Sequence, residues 1–161
     1  MTSGERTQSL RAQLLVEPQT SRMELTAYTP IGTEALTILA EGDRVVFLDH
    51  IHRTAWQGSS AELARSIGFF DPQTPLAAWA LDLLGLPARG EFVPGDAGLA
   101  SGAVGDIRIA FDPPAFPPHN VTVTRGSERL EVTHLELAST DASVSPLKIP
   151  GDYACCVTPQ F

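Results

Sequence analysis

The feature that most constrains the fold is the segment TPLAAWALDLLGLP, residues 74–87, which carries the strongest helical pattern in a sequence otherwise typical of β-strands. Thr74 is expected to be the N-cap and Pro75 the first helical residue. Gly85 followed by Pro87 predicts the end of the helix. The segment is shorter than the ~20 residues that a membrane-spanning helix needs. The sequence therefore predicts a helix that is either buried in a core or covers an apolar cavity.

Apolar residues of this segment recur with the spacing of one helix face. Asp82 is the only charged residue between Pro75 and Gly85. We expect one stripe of the helix to face the concave side of a sheet and to line a cavity, although the same spacing fits a plain core stripe. Two apolar residues of the second predicted strand are expected to line the cavity too. The candidate ligand-binding residues are Leu76, Trp79, Leu83, Met23 and Leu25.

Composition indicates a globular domain with many turns. At 161 residues we expect a single domain, 1–161, with its core at about 9–137 and a C-terminal extension at 138–161. Thirteen glycines and thirteen prolines indicate the many turns of an antiparallel β protein. The net charge of −8 argues against nucleic-acid partners and against binding to anionic membranes by charge.

Alternating apolar and polar residues predict five strands before the helical block and at least three after it. A capping box, Ser59 to Glu62, predicts a short helix that precedes the apolar one. This order favours an α+β fold, in which a strongly curved antiparallel sheet forms an incomplete barrel covered by a central helical block. The predicted strands are 9–17, 22–28, 35–39, 44–48, 51–56, 106–112, 120–124 and 128–137. Residues 138–161 are weakly patterned, but the segment 145–157 is compatible with an edge strand.

The turn TPIGTE, residues 29–34, contains one large apolar residue, Ile31, between Pro30 and Gly32. An aliphatic side chain here cannot pack beneath its own short turn, so we expect Ile31 to be exposed. The alternatives are an ordinary, partly packed turn residue and an apolar tip that contacts a membrane.

Motifs typical of enzymes and metal sites are weak. His50 and His52 are expected on one strand face near Asp49, but a third metal-ligating partner is not evident. His119 and His134 are interpreted as surface or ordinary strand residues. We therefore expect a protein that is not an enzyme and that binds neither a metal nor a cofactor, and a hydrolase or metal enzyme using Asp49, His50 and His52 is the least favoured alternative.

The only cysteines are Cys155 and Cys156, which are adjacent and close to the C-terminus. Such a pair cannot form a disulfide framework or match a zinc spacing. We expect the pair to be structurally incidental, and the alternative is a strained vicinal disulfide. Residues 1–4 do not resemble a secretory signal, so the chain is either cytoplasmic or a mature domain.

Several of these segments together resemble the LolA/LolB-like superfamily, and LolB-like outer-membrane lipoprotein receptors in particular. They are YTPIGTEALTIL, the capping box at Ser59, the helix exit LLGLP and the closing hairpin VTVTRGSERLEVTHLEL, within residues 10–137. The resemblance implies an incomplete barrel, covered by helices, whose apolar interior receives the acyl chains of lipoproteins. It also implies that Ile31 occupies the protruding loop that delivers lipoproteins into the membrane.

The resemblance further implies a non-enzymatic lipoprotein acceptor at the periplasmic face of the outer membrane, lipid-anchored in its native form. The expected partners are lipoprotein acyl chains, a LolA-like periplasmic carrier and the membrane surface. The alternative function is a lipid-binding, sensor or interaction domain of the cell envelope on the same scaffold. An interior filled by the protein's own side chains would favour that alternative.

Overall fold

A computed structural model describes residues 8–68, 70–84, 91–93, 101–104, 106–113 and 117–156, with the backbone alone for 91–93 and 101–104. Five strands precede a block of two helices and further strands follow it, as the sequence predicts. The elements are β1 (Arg11–Glu17), β2 (Arg22–Tyr28), β3 (Glu34–Glu41), β4 (Arg44–Asp49), β5 (Thr54–Ser59), α1 (Ser60–Ile67), α2 (Leu76–Leu83), β6 (Glu91–Val93), β7 (Ser101–Val104), β8 (Ile107–Asp112), β9 (Asn120–Arg125), β10 (Glu128–Thr133) and β11 (Ala154–Cys155).

The strands described form two sheets. The first has the order β1-β2-β3-β4-β5-β11 and the second the order β10-β9-β8-β7-β6. Neighbouring strands are antiparallel except that β11 runs parallel to β5. The α+β class and the curved antiparallel sheet are confirmed, and no closed barrel forms in the part of the chain described. The division into two sheets was not predicted.

The helix α1 begins as its sequence predicts. The Ser59 side chain accepts the backbone N–H of Glu62, and the Glu62 carboxylate accepts the backbone N–H of Ser59. These two hydrogen bonds satisfy donors that the first helical turn leaves without partners. The hydrogen bond from the backbone N–H of Ser59 is the main cause that lowers the pKa of the Glu62 carboxyl group. The predicted capping box is confirmed.

The helix α2 begins differently from the prediction. Pro75, not Thr74, is the N-cap, and α2 has no side-chain cap. Instead, the Thr74 hydroxyl donates to the Asp71 carboxylate at 3.0 Å, and this hydrogen bond stabilises the turn before the helix. The Ser60 hydroxyl of α1 lies 3.4 Å from the backbone N–H of Leu76 and accepts it. The expected exit at Gly85 and Pro87 lies outside the described residues.

The helix α2 packs between the two sheets. Leu76, Ala77 and Ala80 belong to a core cluster with α1 and the inner face of the first sheet. Trp79 belongs to a second core cluster built on β8 and β9. The alternation along β8 is confirmed, since every second side chain points into this cluster. The second cluster contains Trp79, Ile107, Ile109, Phe111, Val121 and Val123.

The C-terminal segment covers the outer face of the first sheet. Residues 143–155, here called the strap, cross that face and end as β11 beside β5. Leu147, Ile149 and Tyr153 of the strap pack on a third apolar cluster. The edge strand suggested for this segment is confirmed as β11. The cluster beneath the strap consists of Leu39, Val46, Leu48 and Ala55.

Candidate functional site

The β2–β3 turn presents Ile31 to solvent with 87% of its surface exposed. Hydrogen bonds close the base of the turn: the Thr29 N–H donates to the Thr33 carbonyl at 2.8 Å, and the two threonine hydroxyls lie 2.7 Å apart. Gly32 has φ of 87°, a left-handed conformation that glycine adopts readily. The predicted exposure of Ile31 is confirmed, and the hydrogen-bonded base holds the side chain away from the sheet.

The structure separates the five candidate cavity residues into two groups. Met23, Leu25 and Leu76 meet in the cluster on the inner face of the first sheet. Trp79, 1% exposed, and Leu83 belong to the cluster of the second sheet. The expected single stripe is therefore divided between two sheets. All five side chains belong to these two clusters or pack against them, and their role in ligand binding stays a prediction.

Asp82 is fully buried, with 0% of its surface exposed. This burial of the only charged residue of the helix was not predicted. The sequence contained a signal, since residues three apart in a helix occupy adjoining parts of its surface, and Asp82 follows Trp79 by three. The interior of this protein therefore contains a carboxyl group one helical turn from Trp79, the largest of its fully buried side chains in the described ranges.

His50 and His52 do not lie on one strand face, because residues 50–53 form the turn before β5. The strand predicted to begin at residue 51 therefore begins at Thr54 instead. His50 lies 2.8 Å from the Thr37 hydroxyl and 2.5 Å from the Tyr153 hydroxyl, whereas His52 contacts Asp49 at 2.7 Å. Among the residues described, no three His, Cys, Asp or Glu side chains converge as metal ligands would.

His134 is a contact between α2 and the second sheet, which corrects its interpretation as a surface or ordinary strand residue. Its Nδ1 lies 2.8 Å from the Pro118 carbonyl and its Nε2 lies 2.8 Å from the Leu83 carbonyl. Leu83 is the last residue of α2, where carbonyls lack partners within the helix. The imidazole therefore connects the end of α2 to the loop before β9.

The β1–β2 hairpin holds the strap through charged side chains. Glu17 and Glu24 accept the backbone N–H groups of Val144 and Ser145, both at 2.8 Å. Arg22 donates to the carbonyl of Val144 at 3.1 Å. The hydrogen bond from Val144 is the main cause that lowers the pKa of Glu17. These charge-assisted bonds recognise the strap backbone rather than its side chains.

A shallow depression lies between this hairpin and the strap. Its volume is about 130 Å³, and most of its lining is polar. It is on the outer side of the first sheet, away from the predicted cavity residues. The lining residues are Gln13, Leu15, Glu24, Thr26, Ser143 and Ser145.

The two cysteines form a vicinal disulfide at the end of the strap. The expectation of a structurally incidental pair is therefore corrected, because the two cysteines are bonded to each other. Cys156 has φ of 84°, and its backbone N–H donates to the Ala55 carbonyl at 2.9 Å. The disulfide thus lies where the strap pairs with β5.

Comparison of the sequence with protein-family models and with curated proteins found no match. None of the helices in the described ranges is long and apolar enough to cross a bilayer.

Proposed function

We propose that this protein is a non-enzymatic carrier that accepts the acyl chains of lipoproteins between its two sheets and delivers them to a membrane. The observation that carries the proposal is the exposed Ile31 on a hydrogen-bonded turn. An aliphatic residue held out in water costs free energy unless it contacts an apolar partner. We place the protein in the cell envelope, at the periplasmic face of the outer membrane, with a LolA-like carrier as donor of its cargo.

We propose that α2 is the element that opens to admit an acyl chain. Its contact with the first sheet uses Leu76 and two alanines, Ala77 and Ala80, whereas its contact with the second sheet uses Trp79. Displacing small side chains exposes less apolar area than displacing a tryptophan. We therefore expect α2 to move with the second sheet, which would uncover Met23 and Leu25 for the ligand.

The energy available from an acyl chain suits a reversible carrier. Burying ~10 methylene groups at ~0.8 kcal/mol each would contribute about 8 kcal/mol before the costs of binding. Part of this free energy must separate α2 from the first sheet. We therefore expect modest affinity, so that the cargo can pass to the next acceptor.

Ile31 by itself cannot hold the protein on a bilayer. Burial of one isoleucine contributes about 1.5 to 3 kcal/mol, and a single acyl anchor is also marginal. The tip therefore acts transiently, after another anchor has brought the protein to the membrane.

The test is transfer of a bound lipoprotein into liposomes by the Ile31→Glu variant. We expect normal folding and acyl-chain binding but loss of transfer, because a carboxylate at the tip resists insertion. Leu135→Glu is the matched control, since Leu135 is also exposed, at 76%, but follows β10 of the second sheet. Normal transfer by Ile31→Glu would contradict the tip mechanism.

A second candidate function is a sensor or interaction domain of the cell envelope. The close packing of α1 and α2 against the sheets favours it, because Leu63 of α1 and Trp79 of α2 are buried among the protein's own side chains. Titration with a fluorescent fatty acid separates the two functions. Saturable binding supports the carrier, and its absence supports the interaction domain.

A further inference from the structure

A second exposed isoleucine lies at the same end of the first sheet as Ile31. Leu36 pairs with Asp49, and the His50 N–H donates to the Ala35 carbonyl at 3.0 Å, so the β4–β5 turn lies beside the start of β3. The turn presents Ile51 with 63% of its surface exposed. The β2–β3 turn that carries Ile31 ends where β3 begins. Two neighbouring connections of one sheet therefore each present one isoleucine.

The β4–β5 turn is held by its own side chains. The Asp49 carboxylate accepts the backbone N–H groups of Ile51 at 3.0 Å and of His52 at 2.9 Å. Its other oxygen lies 2.7 Å from the His52 ring. Burial acts to raise the pKa of Asp49, but these hydrogen bonds outweigh it and lower the pKa. The Asp49 carboxylate thus holds the backbone of the turn in place, and the Ile51 side chain is left exposed to solvent.

Leu10 extends the same end of the sheet. Arg11 pairs with Tyr28, so Leu10 comes just before β1 and next to the turn of Ile31. Leu10 is also exposed. Leu10, Ile31 and Ile51 are three of the four large exposed apolar side chains among the residues described, and all three lie at this end.

Charge selects the kind of bilayer that this end can approach, because the chain carries a net charge of −8. Asp152 lies 3.3 Å from Arg53, which offsets one carboxylate at this end. Asp49 and Glu34 lie beside the rings of His52 and His50, which carry a charge only when protonated. Carboxylates are repelled by an anionic bilayer but not by a bilayer without net charge. This end is therefore suited to approach an uncharged, zwitterionic lipid surface.

We propose that the β4–β5 turn is a second bilayer-contacting element, in which Ile51 enters the interface of a zwitterionic membrane beside Ile31, with Leu10 at the margin. Separate aliphatic protrusions match a fluid interface, which needs no complementary shape. Asp49 is a positioning residue for Ile51. The inference rests on the membrane contact in the proposed function but does not depend on lipoprotein cargo.

The first experiment is co-sedimentation of the full chain with phosphatidylcholine vesicles. Ile51→Ser and Ile31→Ser should each lower the partition coefficient about tenfold, and the double variant about a hundredfold, because each removes one buried aliphatic side chain. Leu135→Ser, the matched control, should leave partition unchanged. Asp49→Ala should lower partition without altering any apolar side chain.

The second experiment places a reporter in each turn. Ile51→Trp should show a blue shift of its fluorescence with vesicles and quenching by brominated lipids, whereas Leu135→Trp should show neither. If Ile51→Ser partitions normally while Ile31→Ser does not, this inference is wrong and the proposed function stands. If the wild-type chain does not partition at millimolar lipid, the second membrane contact is wrong, because Ile31 alone requires another anchor, and the proposed function is still tested by transfer into liposomes.

Discussion

The two faces of the first sheet are both apolar, but they are covered by different kinds of structure. The inner face packs on α1 and α2 through residues such as Met23 and Phe47. The outer face packs on the irregular strap through residues such as Leu48 and Val46. A helix supplies its own backbone hydrogen bonds, whereas an irregular strap needs partners from the sheet it covers. The outer cover therefore depends on a few charged side chains, and the inner cover on apolar packing.

The largest effect that we expect on the inner side follows from Trp79→Ala. Loss of a fully buried tryptophan should lower the free energy of unfolding by ~3 to 5 kcal/mol, measured by urea denaturation. Trp56→Phe is the control, because it retains an aromatic ring at a half-buried position of β5. A loss of stability below ~1 kcal/mol together with altered acyl binding would make Trp79 a ligand-lining residue rather than part of a sealed core.

On the outer side, Leu48→Ala should cost about 2 to 3 kcal/mol, the low end for such truncations, because an irregular strap can collapse into the space left behind. Hydrogen exchange should show reduced protection of strap amides and little change in α2. The contrast between the faces fails if exchange increases equally in α2.

Arg22→Ala should remove the guanidinium that binds the strap carbonyls. We expect a loss of about 1 kcal/mol, since these bonds involve a charged donor but are partly exposed to solvent. Arg129→Ala is the control, because Arg129 is an exposed arginine on β10 that contacts Glu131. Faster exchange of the amides around Val144 in Arg22→Ala alone is the expected result. Equal exchange in both variants would show that the strap does not depend on Arg22.

The smallest effect concerns pH. The folded protein lowers the pKa of Glu17, so the stability from its bond to Val144 is present above the ordinary glutamate pKa. This stability is lost as the pH falls through the lowered pKa. The Val144 amide resonance should therefore titrate in acid by NMR, and Glu17→Gln should abolish that titration. An identical acid titration in the variant would rule out Glu17 as the partner.

Local signals in the sequence were enough to predict several elements of the fold. The α1 capping box lies within four residues, and the exposure of Ile31 follows from Pro30 and Gly32 beside it. The start of α2 was predicted wrongly because Asp71 competes for the Thr74 hydroxyl within the preceding turn. Such competition depends on turn geometry that propensities do not contain.

Contacts between distant segments could not be predicted in the same way. Val144 binds Glu17, and His134 binds the Leu83 carbonyl, through backbone groups that every residue carries. The sequence nevertheless contained a signal that the outer face of the first sheet is covered. Residues 37–40 and 45–48 are mostly apolar instead of alternating, and the structure buries all of them. Such runs indicate strands covered on both faces.

The central claim is that acyl chains bind on the inner side of the first sheet. Trp56 packs on that face, and Trp79 lies on α2, which covers that face, with its ring in the cluster of the second sheet. Titration with a fatty acid brominated along its chain therefore tests the claim through tryptophan fluorescence. We expect saturable quenching of the tryptophan fluorescence, which an unbrominated fatty acid reverses by displacing the brominated one. Saturable fatty-acid binding without quenching, or no binding at all, would contradict it.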